Sequence, residues 1–150
     1  MKFWWECIYS DKWRSDLRII LRRLPQERSS LKMMKRRLCS MHPTVTPNYE
    51  KREGGSSPLP GDPTGKFVEA KEKISEEIRE MELHISEVED AIEGLPERYK
   101  ELIKYRYFER MGRQDVVEKL NLLSGSAFET LDESCLDILK FSLNQCSLFK

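Results

Sequence analysis

Two groups of side chains in this 150-residue chain could do chemistry at a partner. The first is a run of cations: Arg14, Arg18, Arg22, Arg23, Arg28, Lys32, Lys35, Arg36 and Arg37. Cations at this density neutralise phosphates, the interaction that supplies most sequence-independent affinity for nucleic acid. The same run could instead dock on carboxylates of its own chain. The second group is the stretch Ser124, Gly125, Ser126 and Ala127, followed by Glu129, Thr130 and Glu133. Small and polar side chains at the head of a helix can meet base edges in a DNA groove. Ser126-Ala127-Phe128-Glu129 also matches a capping box, in which Glu129 folds back onto the Ser126 cap. Just before this group stand Arg98, Lys104, Arg106, Arg110, Arg113, Gln114 and Lys119. Glu109 with Arg113, and Asp115 with Lys119, have the four-residue spacing of helical ion pairs. Trp4, Trp5 and Trp13 could stack on bases or pin a terminal helix to its neighbour.

Catalytic and metal signatures are weak by comparison. Cys39-Ser-Met-His42 has the gap of a zinc half-site but no second half-site, and Cys7 and His84 stand alone. The sequence has no Gly-rich phosphate loop, nucleophile elbow or kinase signature, and its carboxylates lie on charged faces with no apolar pocket beside them. The expectation is a protein that is not an enzyme and carries no metal or cofactor. The four cysteines, Cys7, Cys39, Cys135 and Cys146, are placed singly, which argues for reduced thiols. No run of 18 apolar residues occurs, and Glu6 and Asp11 cut the apolar start. Neither a membrane span nor a signal peptide is therefore expected, and the expected location is the cytoplasm.

These side chains need elements to position them, and the charge pattern marks the elements. Residues 1–42 hold 11 basic and 4 acidic side chains, whereas residues 67–94 hold 3 and 10. Such asymmetry predicts an anionic partner for the basic segment, or pairing of the two segments with each other. Trp13, Leu17, Ile20, Leu21 and Leu24 recur at helical spacing up to Pro25, and Leu31, Met34, Leu38 and Met41 recur after it. The expectation for 1–42 is a basic helical hairpin that bends at Pro25. Residues 43–66, rich in Pro, Gly and Ser, read as a linker between two modules. Residues 67–150 form the second module. It opens with a long amphipathic helix whose stripe, Ile74, Ile78, Met81, Ile85, Val88, Ile92 and Leu95, steps by 4 and 3. The stripe could seam a homodimer or pack on its own domain. Asp62 with Pro63 suits its start, and Gly94 followed by Pro96 its stop. A helix from Pro96 to Glu109, a short helix over about 114–121, a turn at 122–125 and a last helix complete an all-α chain. Short helix, tight turn and second helix make a helix-turn-helix.

The stretch LPERYKELIKYRYFERMGRQDVVEKLN, with LLSGSAFETLDESCLDIL after it, resembles region four of bacterial sigma factors. The layout of the whole chain resembles the phage late-gene transcription regulators of the RinA and ArpU type. That resemblance implies a DNA-binding activator of phage or prophage late genes, acting on double-stranded DNA in a bacterial cell with RNA polymerase as a partner. It carries DNA contact onto Arg110, Arg113, Gln114, Ser124, Gly125, Ser126, Ala127, Glu129, Thr130 and Glu133. Arg14, Arg18, Arg22, Arg36 and Arg37 are candidate phosphate contacts. Where the family often has Arg or Lys, this chain has Glu129, Thr130, Asp132 and Glu133. With Asp137 these acids would repel a phosphate backbone. Two other readings remain open: a protein-docking module that keeps the helix-turn-helix fold, and a small DNA-packaging subunit.

Overall fold

The computed structural model describes residues 12–42 and 63–148, and every element among them is helical. In chain order they are α1 (Trp13–Ser40), α2 (Pro63–Glu93), α3 (Glu97–Ile103) running into a π-helical turn (Lys104–Phe108), α4 (Arg113–Lys119) and α5 (Gly125–Leu148). Trp4, Trp5 and Cys7, and the linker expected over 43–66 up to Asp62, lie outside the described residues.

The N-terminal region corrects the expected bend. Residues 13–40 are one helix with Pro25 inside it. An interior proline removes one backbone hydrogen bond, here the one to the Leu21 carbonyl, and costs about 3 kcal/mol. The helix continues because its apolar stripe does: Leu17, Ile20, Leu21 and Leu24 are at most 6% exposed, and Leu31 packs on the same core. Burial of each such side chain contributes roughly 1.5–3 kcal/mol, so together they outweigh the proline.

A hairpin does form, but between α1 and α2. Arg28 pairs with Glu89 and Lys35 with Glu82, so the helices run antiparallel. Glu27 lies 3.5 Å from the ring of the buried His84 in the same seam. Helix α2 starts at Pro63 and thus takes in the last residues of the stretch expected as linker. It ends at Glu93; Leu95 inserts into the core and Pro96 caps α3.

The π turn follows because the Glu109 N–H donates to the Lys104 carbonyl five residues back; beyond it the Met111 N–H reaches six residues back to that of Tyr105. Arg110, in the left-handed region at φ 55°, ends the turn. Tyr107 is thereby buried to 1% exposure, beside Leu102 and Ile103. The core is one cluster: Leu21 and Leu24 of α1, Ile85 and Val88 of α2, Ile103 of α3, Val116 of α4 and Leu136 of α5 all belong to it. The basic N-terminal helix and the C-terminal region thus contribute side chains to one core cluster.

Candidate nucleic-acid interface

Residues 113–148 form a seven-residue helix, a short connection and a long helix. Asn121, at φ 51°, reverses the chain, and Leu122 N–H closes on the Val117 carbonyl at 2.9 Å. Helix α5 begins two residues earlier than its capping-box signature suggests. Ser124 Oγ accepts from the Ala127 N–H at 3.2 Å, which makes Ser124 the cap. Ser126, in the first turn, shares a 2.9 Å hydrogen bond with Ser124 Oγ. Glu129 is then too far along the helix to fold back, and it pairs with Arg113 Nη2 at 2.9 Å. That contact also replaces the expected Glu109–Arg113 pair. The Lys119 ammonium sits over the Tyr105 ring, in place of the expected pair with Asp115.

The acids of α5 have distinct fates. Asp132 is 6% exposed: Arg18 donates from Nη2 at 2.9 Å and from Nε at 3.2 Å to Oδ2, and the Tyr107 hydroxyl donates to Oδ1 at 2.6 Å. Burial, reinforced by the hydrogen bond to Asp132, pushes the Tyr107 phenol well above its ordinary range. Burial also pushes the Cys135 thiol up to about 12. Asp137 pairs with Arg14 at 3.1 Å. Only Glu133 has no cation within ion-pair distance among the described residues, and with Ser126 and Thr130 it remains exposed. The Thr130 hydroxyl donates back to the Ser126 carbonyl at 3.0 Å.

The candidate phosphate contacts separate in the same way. Arg14 and Arg18 are engaged with α5, while Arg36 and Arg37 lie at the far end of α1, ~21 Å along the helix from Arg22 and Arg23. Arg22 alone of the five stands beside α5 without an ion pair to it among the described residues. It lines a cleft of about 350 Å³ together with Arg18, Arg106, Arg113, Glu129 and Glu133. An adjoining cavity of about 370 Å³ is lined by Arg22, Arg106 and Arg110. Arg106 is held there by a 3.0 Å hydrogen bond to the Met111 carbonyl and by the Phe128 ring, 5.7 Å away. The Arg113 guanidinium lies across the head of α5, where a side chain at Gly125 would come within 2.6 Å of it. Gln114 and Arg113 are exposed on α4, and Ala127 is half-buried. Trp13 packs between Lys140, 4.4 Å from its ring, and Arg14 at 5.0 Å.

Sequence reasoning passed over the Arg18–Asp132–Tyr107 triangle, although one signal was present. Phe128, Asp132, Cys135 and Leu139 are spaced 4, 3 and 4, which puts Asp132 on the apolar face. The stripe that could seam a homodimer or pack on its own domain is largely buried within the chain. Ile78, Ile85 and Val88 are at most 6% exposed, Met81 and Ile92 pack on the core, and Ile74 is half-buried. Among the described residues no helix is long and apolar enough to cross a membrane, and no group of three or more His, Cys, Asp or Glu is placed to hold a metal. No protein-family model matches the chain, and neither a curated protein nor a solved structure matches it.

Proposed function

We propose that this chain is a regulator of transcription that binds double-stranded DNA through the exposed head of α5, in the manner of the RinA and ArpU type. The observation that carries this reading is the neutralisation of α5. Arg113, Arg18 and Arg14 are paired with Glu129, Asp132 and Asp137, so the acids that would repel phosphate are offset before DNA arrives. Ser126, Thr130 and Glu133 remain for base edges, the threonine methyl suiting a thymine methyl and the glutamate a cytosine amine. Arg22, Arg106 and Arg110 form a basic wall beside them. Bacterial RNA polymerase is the protein partner this reading implies.

Fluorescence anisotropy of the full chain against duplexes from its own genomic neighbourhood, over a salt series, tests the reading. Selective binding is expected, and Ser126→Ala with Thr130→Ala should cost roughly 1–3 kcal/mol on the target and far less on scrambled DNA. Equal affinity of the double variant for both duplexes would remove α5 from recognition, and absence of binding by the wild-type chain would overturn the reading. One observation favours a protein-docking role instead: Leu123, a large apolar side chain in the turn before α5, is wholly exposed. Retention of purified RNA polymerase by a chain that binds no DNA would select that role.

A further inference from the structure

The cations of helix α1 divide by their partners into an inner and an outer row. The inner row, Arg14, Arg18, Arg28 and Lys35, is bound to Asp137, Asp132, Glu89 and Glu82 of the same chain. The outer row is Arg22, Arg23, Arg36 and Arg37, with Lys32 one turn before Arg36, all exposed, with no carboxylate in ion-pair distance among the described residues. Arg22, Ser29, Met33, Arg36 and Ser40 follow one another by 7, 4, 3 and 4, so they lie on one straight stripe, flanked by Arg23 and Arg37. Helix α1 has two acids, and neither lies on this stripe: Glu27 is turned to His84, and Asp16 stands on the side of Arg23, two turns before it. The stripe begins at Arg22, which also lines the cleft beside Glu129 and Glu133 at the head of α5.

We infer that the outer row is a second phosphate-binding track, which carries the backbone of a duplex outward from the helix-turn-helix along α1. This inference rests on the DNA-binding reading and adds a partner contact to it. Two pairs of guanidinium groups stand ~21 Å apart along the helix, about six phosphate spacings of a strand. The inner row cannot serve, because releasing it would uncover Asp132 and Asp137. The track thus divides one basic segment into a half that builds the fold and a half that faces the partner.

The test is anisotropy of the full chain on a 30-base-pair duplex across a salt series, for wild type, Arg36→Ala with Arg37→Ala, and the lysine pair Arg36→Lys with Arg37→Lys. Removal of both arginines should lower the slope of log affinity against log salt by about 1 for each phosphate they neutralise, equally on target and scrambled sequence. The lysine pair should restore the slope, and unchanged helical circular dichroism confirms that both variants fold. Wild-type binding with an unaltered slope in the alanine pair overturns the track and leaves the helix-turn-helix reading standing. A wild-type chain that binds no duplex overturns both. Vesicles containing phosphatidylserine form the other arm: loss of vesicle binding in the alanine pair, with duplex binding intact, would make the row a lipid contact and overturn the inference.

Discussion

Arg18 and Asp132, 114 residues apart in the chain, meet at 2.9 Å where α1 crosses α5. The contact joins the basic N-terminal helix to the acid-bearing α5, and Tyr107 completes it from the π turn. It is both a structural tie and the means by which an outwardly repulsive acid is withdrawn from the surface.

Asp132→Ala should destabilise the chain by about 2–3 kcal/mol, since it leaves the Tyr107 hydroxyl buried and Arg18 partly buried without their acceptor. The Arg18 side chain is 34% exposed, which keeps the loss below that of a fully buried pair. Urea denaturation of Asp132→Ala, Arg18→Met and the double variant should give a coupling energy on the order of 1 kcal/mol or more. Strict additivity would mean that the two side chains do not interact in solution.

Stability should fall at alkaline pH. In the unfolded chain Cys135 and Tyr107 release protons near their ordinary values of 9.0 and 10.0, whereas in the fold burial holds the thiol proton to about 12 and the phenol proton higher still. Above about pH 9 the native state therefore binds more protons than the unfolded one, so stability is intact below that pH and declines as pH rises toward 12. Urea midpoints at pH 8 and pH 11 measure the decline, and Cys135→Ala should make it shallower. A pH slope identical in wild type and variant would place the Cys135 thiol in solvent. Cys39, which is exposed, should be the faster of these two thiols to react with a thiol reagent at pH 8.

Ser124→Ala should cost about 1 kcal/mol through loss of the cap on Ala127. Ser126→Ala should change stability by less than about 0.5 kcal/mol, since its hydroxyl satisfies no backbone N–H. Thermal denaturation of the two variants decides the matter, and the reverse ranking would restore the capping box headed by Ser126.

A chain that starts at residue 66 should not fold cooperatively. It lacks Leu17, Ile20, Leu21 and Leu24, buried to between 0% and 6%. At roughly 1.5–3 kcal/mol each, their loss rivals the typical 5–15 kcal/mol margin of a whole domain. A sharp, reversible unfolding transition in this fragment would show that α1 is an accessory and not part of the core.

Periodicity alone determined that the chain is helical and which faces most of its helices bury. The stripe from Ile74 to Leu95, the stop at Gly94 and Pro96, and the inward side of α5 were all legible, because a helix face depends only on local spacing and on local backbone chemistry. Even the inward place of Asp132 was present in the spacing of Phe128, Asp132 and Cys135. Partner choice was not, and it governed everything else. Pro25 stays inside a helix because its neighbours on both sides are covered by one core, and Glu129 leaves the capping box because Arg113 is near. The cations of α1 look equivalent in sequence, yet Arg18 meets a carboxylate and Arg22 meets a cleft. Which charge is neutralised depends on through-space distance, falling off over a few ångströms, and only the packing of α1 against α2 and α5 sets those distances.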